Sequence, residues 1–360
     1  MNKKEKYNIC FVLSGLAGGG IESLVTTLSN YYVSHGHIVT LLLLYKDKEH
    51  FFKPDKRVTI IEPVLDRAKI NKYIYAARLI PFIRKQIKRI NPDVIVSHGE
   101  WQNAYVVLAH IGLKYPLYLE DHMNPDLNLG FLPNTAKKFL YKHATGIIAL
   151  TDYAAKVTKA KTGSVNVAVI PNPINIKESI ASHKSNTIVT VGRLSKEKGH
   201  QYLLEAFAGL NRKDWNLEIV GDGIERKNLE ELAAKLGIKD RVLFHGYKSD
   251  FEQILNKSEI FVLPSLSECF PLALTEAMAI PLACISSDCL AGNDVIIING
   301  VNGILVKPGN SSELATAIGI LMDNKVLRNK LSIEAYKIRD MLNIDRIALN
   351  YLNFITHEYL

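Results

Sequence analysis

Thirteen short apolar runs, three to seven residues long and mostly uninterrupted, punctuate this chain. They lie at 8–13, 38–44, 58–61, 94–97, 117–120, 146–150 and 167–170, then at 187–191, 217–220, 242–244, 260–263, 282–285 and 303–306. A strand with one wet face alternates apolar and polar residues. A strand that is apolar throughout is buried on both faces, as parallel strands are. Helical stretches fill the intervals, at 21–34, 72–90, 101–112, 134–143, 151–161, 199–210, 225–236, 249–256, 271–279, 311–322, 325–339 and from 344. Thr151-Asp152 opens one of them with a capping residue. Repeated strand–helix–strand units specify an α/β fold with doubly wound parallel sheets.

A chain of 360 residues is long enough for two domains of ordinary size. The pattern breaks at Pro171-Asn172-Pro173, and a polar stretch runs on through Asn186. We therefore expect one domain over 1–171 and a second over 187–343. No apolar run reaches the roughly 18–20 residues that span a bilayer. Lys3-Lys4-Glu5-Lys6 before an apolar run mimics a leader, but Gly18-Gly19-Gly20-Ile21-Glu22 is a poor cleavage site and a good strand-to-helix loop. Cys10, Cys269, Cys284 and Cys289 lack CxxC spacing and sit in apolar or loop settings, which points to reduced thiols in a cytoplasmic protein.

The net charge of +8 is uneven. Residues 1–180 hold 24 Lys and Arg against 14 Asp and Glu, and the remainder holds 20 against 22. Lys69, Lys72, Arg78, Arg84, Lys85, Lys88 and Arg89 gather on or beside the helix 72–90, with Tyr73, Ile74, Leu79, Ile80, Phe82, Ile83 and Ile87. Such a helix suits an anionic membrane surface, at about 1 kcal/mol per well-placed cation. It equally suits packing on its own domain with its cations in water. No recognition-helix or aromatic-interleaved motif accompanies the charge, so nucleic acid is not an expected partner.

The stretch richest in chemistry is Ser267-Glu268-Cys269-Phe270-Pro271-Leu272-Ala273-Leu274-Thr275-Glu276-Ala277-Met278-Ala279. Pro271 suits the first helical position, where its missing N–H would be unpaired anyway. That places Glu268 in the loop before a helix and Glu276 on the second turn. Helical side chains lean toward the N-terminus, so Glu276 points back to the opening that Glu268 lines. The free N–H groups there are a ready anion site. An anion between two hydroxyl-binding carboxylates suggests a sugar nucleotide, with diphosphate at the helix tip, ribose on one acid and sugar on the other.

With Pro264-Ser265 before it and Pro281-Leu282-Ala283 after it, this stretch resembles the signature of the retaining glycosyltransferases of family 4. The resemblance covers nearly the whole chain, weakly over 1–185 and strongly over 187–310. It implies the GT-B architecture, two Rossmann-like domains facing a central cleft, with the last helix (344–360) crossing back to the N-terminal, acceptor-binding domain. The C-terminal domain would bind the nucleotide sugar. The activity implied is transfer of a hexose or N-acetylhexosamine from a nucleotide-diphosphate sugar, expected to be UDP-linked, to a glycan or lipid-linked acceptor. The implied location is the cytoplasm or the inner face of the plasma membrane.

The same resemblance assigns roles. Gly192-Arg193-Leu194-Ser195-Lys196-Glu197-Lys198-Gly199 matches a family loop whose Arg and Lys neutralise the leaving diphosphate, which falls to Arg193 and Lys198, with Lys196 exposed. Glu276 would bind the ribose, and Glu268 the transferred sugar. Phe270, Pro271 and Leu272 would carry amides that face the diphosphate. His122, closing Glu120-Asp121-His122 at a strand end, would lie near sugar and phosphate. Gly19-Gly20-Ile21-Glu22 matches a family Gly-Gly-x-Glu loop, so Gly19 and Gly20 fall on the donor side and Glu22 on the acceptor side. Ser23 stands where relatives often have arginine. His98 takes a weaker role, acceptor-side or structural. Gly221, Gly223 and Gly246 belong to loops near the nucleotide. The segment 286–296 is similar to a branch with Ser-x-Asp-Cys-Pro-x-Gly-Pro-x-Glu-Ile, found in transferases of bacterial surface polysaccharides. It lacks those prolines and that glutamate, holding Leu290, Asn293 and Asp294 instead.

No Asp-x-Asp occurs, so no metal or other cofactor is implied. Two other enzyme classes fit less well. A nucleotide-sugar epimerase would share the architecture and need no acceptor. An NAD-dependent oxidoreductase would need G-x-G-x-x-G and an acid after the second strand, where Leu44-Tyr45-Lys46 stands. A non-catalytic lectin-like module is a third alternative.

Overall fold

In a computed structural model, residues 4–46, 50–64, 66–164, 166–174, 184–248, 250–289 and 296–356 are described. The chain divides into two compact units, one of Met1–Pro173 with Ile344–Leu360, the other of Ile174–Asn343. Most of the polar stretch before Asn186, and Leu290, Asn293 and Asp294, lie outside the described residues.

The first unit holds seven parallel strands: β1 (Asn8–Leu13), β2 (Ile38–Leu43), β3 (Thr59–Ile61), β4 (Val94–His98), β5 (Leu117–Glu120), β6 (Gly146–Ala149) and β7 (Val167–Val169). Their order is β3-β2-β1-β4-β5-β6-β7. Helices α1 (Gly20–Ser34), α2 (Lys72–Ile90), α3 (Glu100–His110), α4 (Phe131–Leu140) and α5 (Asp152–Thr162) connect them. The pleat splits the apolar residues between two cores. Ile9, Phe11 and Leu13 face α1 and the C-terminal helix Ile344–Ile355, through Leu24, Leu28, Tyr32, Ile347 and Tyr351. Cys10 and Val12 face α2 and α3, through Leu79, Ile83, Ile87 and Val106. Both faces are therefore dry, which is why these strands read as unbroken apolar runs.

The second unit repeats the scheme with six strands: β8 (Thr187–Val191), β9 (Asn216–Val220), β10 (Val242–Gly246), β11 (Ile260–Leu263), β12 (Ala283–Ser287) and β13 (Ile304–Val306). The order is β10-β9-β8-β11-β12-β13, all parallel. Helices α6 (His200–Gly209), α7 (Arg226–Lys235), α8 (Glu252–Lys257), α9 (Leu272–Met278), α10 (Ser311–Asp323) and α11 (Lys325–Tyr336) pack around it.

Departures from the sequence reading have local causes. α4 starts at Phe131, ahead of Pro133. A proline in the first turn removes an N–H that has no partner there, so it does not delay the helix. Pro271 is the cap of α9 rather than its first helical residue: its ψ of 102° is still extended, and the helix begins at Leu272. Thr151 does cap α5, accepting from the Ala154 N–H at 3.1 Å.

The basic helix α2 uses its apolar side internally. Leu79, Ile83 and Ile87 are buried against the sheet, and Ile80 and Phe82 pack beside them. Arg84 donates to the carbonyls of Ala109 and Ile111 and so closes the end of α3. Tyr73 and Ile74 stay exposed, as do Arg78, Lys85, Lys88 and Arg89. Among the described residues no helix is long and apolar enough to cross a membrane. All four cysteines are buried thiols.

Candidate active site

In the second unit the strand order reverses at β8, which pairs with β9 on one side and β11 on the other. Loops leaving the carboxyl ends of two such strands diverge and leave a crevice. Glycines bring the surrounding loops into backbone contact. Gly221 has φ +135°, and a Cβ there would lie 1.9 Å from the Gly192 carbonyl oxygen. Gly199 has φ +65°, and a Cβ would lie 2.1 Å from the Pro264 oxygen. Hydrogen bonds join the same loops, from Leu194 N–H to Asp222 O (2.9 Å) and from Leu266 N–H to Glu197 O (2.8 Å).

This packing brings Lys198, from the loop after β8, onto Glu268, from the loop after β11. Lys198 Nζ donates to Glu268 Oε1 at 2.6 Å, and Ser265 Oγ donates to the same atom at 2.7 Å. Glu268 is 9% exposed. The Cys289 thiol donates to the Ser265 carbonyl at 3.2 Å and closes the rear of this group. Arg193, on the Lys198 loop, is exposed, as is Lys196. Phe270 and Pro271 are buried and lead into α9. Glu276, one turn further, is half-buried. Burial pushes its carboxyl up to about 8, and Glu252 adds to the shift. Gly246, with φ +69°, ends β10, and its carbonyl accepts from Gly221 N–H at 2.9 Å.

In the first unit the reversal falls between β1 and β4. After β1, a Cβ on Gly19 would meet Glu22 Oε2 at 2.5 Å, so the glycine leaves room for that carboxylate. Ser14 Oγ donates to Glu22 Oε1 at 3.4 Å. β4 ends on His98 and β5 on Glu120, the two directly paired in register, and Asp121-His122 follow β5. The His98 and His122 rings meet with Nδ1 and Nε2 3.3 Å apart. Burial pushes both histidines down, His122 to about 4, and pushes Glu120 up to about 8. The His98 side chain is fully enclosed, so it stands behind His122 and offers no open face to an acceptor.

Several residues here were not singled out from sequence. Glu100, at the start of α3, accepts from the backbone N–H groups of His122 (2.7 Å) and Met123 (2.5 Å) and so holds the loop that carries His122. Burial and Asp121 push its carboxyl up to about 7. Asp121 in turn takes Lys137 Nζ at 2.5 Å and Tyr141 O–H at 2.8 Å. Tyr351, from the C-terminal helix, donates to Glu120 Oε2 at 2.5 Å. An acid immediately after His98-Gly99 was a usable signal for Glu100. Nothing local marks Tyr351.

Known proteins resemble the chain over both units. Residues 172–338 match the model described as Glycosyl transferases group 1, and residues 18–178 that of Glycosyltransferase Family 4. Lipopolysaccharide 1,6-galactosyltransferase of Salmonella typhimurium is 35% identical over 335 residues, 84% of this chain and 86% of the relative. The chain belongs to the family 4 glycosyltransferases. An α-1,4-N-acetyl-D-galactosaminyltransferase of Campylobacter jejuni, named as acting on an undecaprenol-diphosphate-linked glycan, is 26% identical over 364 residues, 96% of this glycosyltransferase and 98% of the relative. Among solved structures, sucrose-phosphate synthase from Thermosynechococcus elongatus superposes with a TM-score of 0.85 at 17% identity, covering 98% of this glycosyltransferase and 99% of that chain. Anabaena HepE in complex with UDP and glucose gives 0.83 at 19% identity, covering 98% and 100%. The two parallel sheets are those of the GT-B fold. Family membership also sets aside the oxidoreductase and lectin readings.

Proposed function

We propose that this glycosyltransferase moves a hexose or N-acetylhexosamine from a UDP-linked donor to a hydroxyl of a lipid-linked or polysaccharide acceptor in bacterial cell-surface glycan synthesis, with the anomeric configuration kept. The observation that carries the reading is the Lys198–Glu268 pair, which joins the loop after β8 to the loop after β11, with an exposed Arg193 on the Lys198 loop. Arg193 and Lys198 neutralise the diphosphate, Glu276 takes the ribose hydroxyls, and Glu268 holds hydroxyls of the sugar. Gly221 and Gly246 shape the nucleotide side, and the backbone around Phe270, Pro271 and Leu272 faces the phosphates. In the first unit His122 hydrogen-bonds the reacting groups, and Gly19, Gly20 and Glu22 line the approach of donor and acceptor.

In the step itself the bond from C1 to the diphosphate oxygen breaks and the acceptor oxygen bonds C1 from the same face. The acceptor proton passes to the departing phosphate. The protein contributes position and charge stabilisation, and no cofactor takes part. Names of the relatives support this reading, since they include lipopolysaccharide and undecaprenol-linked acceptors, and HepE binds UDP. Such acceptors and the exposed cations of α2 support a place at the inner face of the plasma membrane.

Radiolabelled UDP-galactose, UDP-glucose and their N-acetylated forms, each incubated with a bacterial lipid extract, test the proposal. Label entering the organic phase as an α-glycoside supports it. Free sugar or an epimerised nucleotide, with no lipid-bound label for any donor, overturns it.

A further inference from the structure

Behind His122 the first unit buries three polar side chains that the transfer reading does not use. Tyr351 O–H donates to Glu120 Oε2 at 2.5 Å. His98 Nδ1 lies 3.4 Å from that same oxygen and 3.3 Å from His122 Nε2. His122 Nε2 also lies 3.6 Å from Glu120 Oε1. The other nitrogen of His98, Nε2, is buried and has no partner among the described residues.

That orphan decides the protonation pattern. A neutral imidazole carries one N–H, and the hydrogen bond made by one nitrogen sets the tautomer. If His98 kept its proton on Nε2, a buried N–H would go unpaired, which folded proteins rarely tolerate. An unpaired lone pair is the milder defect. The proton of His98 therefore sits on Nδ1, where Glu120 Oε2 and His122 Nε2 both face it. His122 Nε2 is then an acceptor, and the His122 proton is displaced to Nδ1. Burial, which keeps both rings neutral and Glu120 protonated, agrees with this pattern.

The same three side chains, His98, Glu120 and His122, would come within reach of one cation. Two features favour hydrogen bonding instead. Tyr351 already occupies Glu120 Oε2. The ring centroids lie 5.5 Å apart while the facing nitrogens lie 3.3 Å apart, so the rings point at each other rather than converging on a third point.

We propose that Tyr351, Glu120 and His98 are positioning residues that lock His122 as its Nδ1–H tautomer, so that it offers an N–H donor, not a lone pair, to an oxygen of the ligand. The use of that donor in transfer rests on the function proposed above, whereas the tautomer does not. Long-range 1H–15N correlation spectra of the histidine-labelled full-length protein read it directly, with His122→Ala assigning the peak. We expect a neutral His122 protonated on Nδ1 at pH 7, moving toward the Nε2–H form in Tyr351→Phe and Glu120→Gln. With the donor, Tyr351→Phe should lose about tenfold in kcat with little change in KM. An Nε2–H or charged His122 in the native protein overturns the proposal. So does a tautomer untouched by both substitutions, or one equivalent of tightly held metal that His98→Ala releases. Full turnover by His122→Ala would instead sink only the transfer role, leaving the tautomer result standing.

Discussion

Glu268 accepts two hydrogen bonds on one oxygen, from Lys198 Nζ at 2.6 Å and from Ser265 Oγ at 2.7 Å. The lysine proposed for the diphosphate and the acid proposed for the sugar therefore compensate each other before any ligand arrives. A negative diphosphate brought to Lys198 would add a charge-assisted contact in a partly dry place, while Glu268 Oε2, which takes no hydrogen bond among the described residues, would be left for sugar hydroxyls. Glu268→Gln keeps the shape and removes the charge. We expect kcat/KM to fall about 100-fold, with the fold retained by circular dichroism. Turnover within twofold of native would remove Glu268 from the site.

Arg193 is exposed, and its guanidinium donates no hydrogen bond among the described residues. Substitution at such a surface position changes stability by about 0.5 kcal/mol or less. Its cost should appear in catalysis alone. Arg193→Ala should melt with the native protein and lose about 100-fold or more in turnover. A lower melting point with unchanged turnover would make the residue structural.

Glu276 carries a carboxyl pushed up to about 8 by burial and by Glu252. Ribose hydroxyls donate to a carboxylate, so binding favours the ionised form. Affinity should therefore rise as the pH is raised through about 8 and level off above it. Calorimetric titration with UDP from pH 6.5 to 9 measures this, and Glu276→Gln should bind more weakly with a flat profile. An affinity that falls over this range would contradict the assignment.

Gly221→Ala should be among the most damaging single changes in the second unit. The φ of +135° is strained for any L side chain, and the added Cβ would sit 1.9 Å from the Gly192 carbonyl oxygen. We expect a loss of about 3 kcal/mol or more, seen as a midpoint shift in urea. Native-like stability would show that the loops after β8 and β9 can separate cheaply.

Stability should be greatest on a plateau between about pH 4.5 and 6.5, where a pair of carboxyls and a pair of histidines offset each other. Burial pushes Glu120 and Glu276 up to about 8, so the stability they contribute is complete below their usual 4.5 and is lost as pH rises through 8. Burial pushes His122 and His200 down to about 4, so the unfolded chain binds their protons first, and stability falls as pH drops from 6.5 toward 4. Melting temperatures from pH 4 to 9 test the shape. A steady rise to pH 9 would show that these four groups do not govern it.

The strand ends show how far local pattern reached. Asn8–Leu13 and Ile260–Leu263 were legible to the residue, because apolar runs bounded by polar or glycine loops leave little choice. The loop carrying Arg193 and Lys198 was legible through its motif, and so was the 267–279 stretch. The start of α4 was misjudged, since a proline reads as a break unless its place in the first turn is known.

By itself the sequence determined two parallel α/β units, the loops that end their strands, and the residue types those loops offer, all consequences of spacing along the chain. Tertiary structure alone decided that Lys198 would meet Glu268, that His98 would be sealed behind His122, and that Tyr351 would reach Glu120 across 231 positions. The reason is physical: periodicity reports which face of an element is apolar, but a side chain's partner and its protonation depend on what the finished packing places beside it and how much water that packing removes.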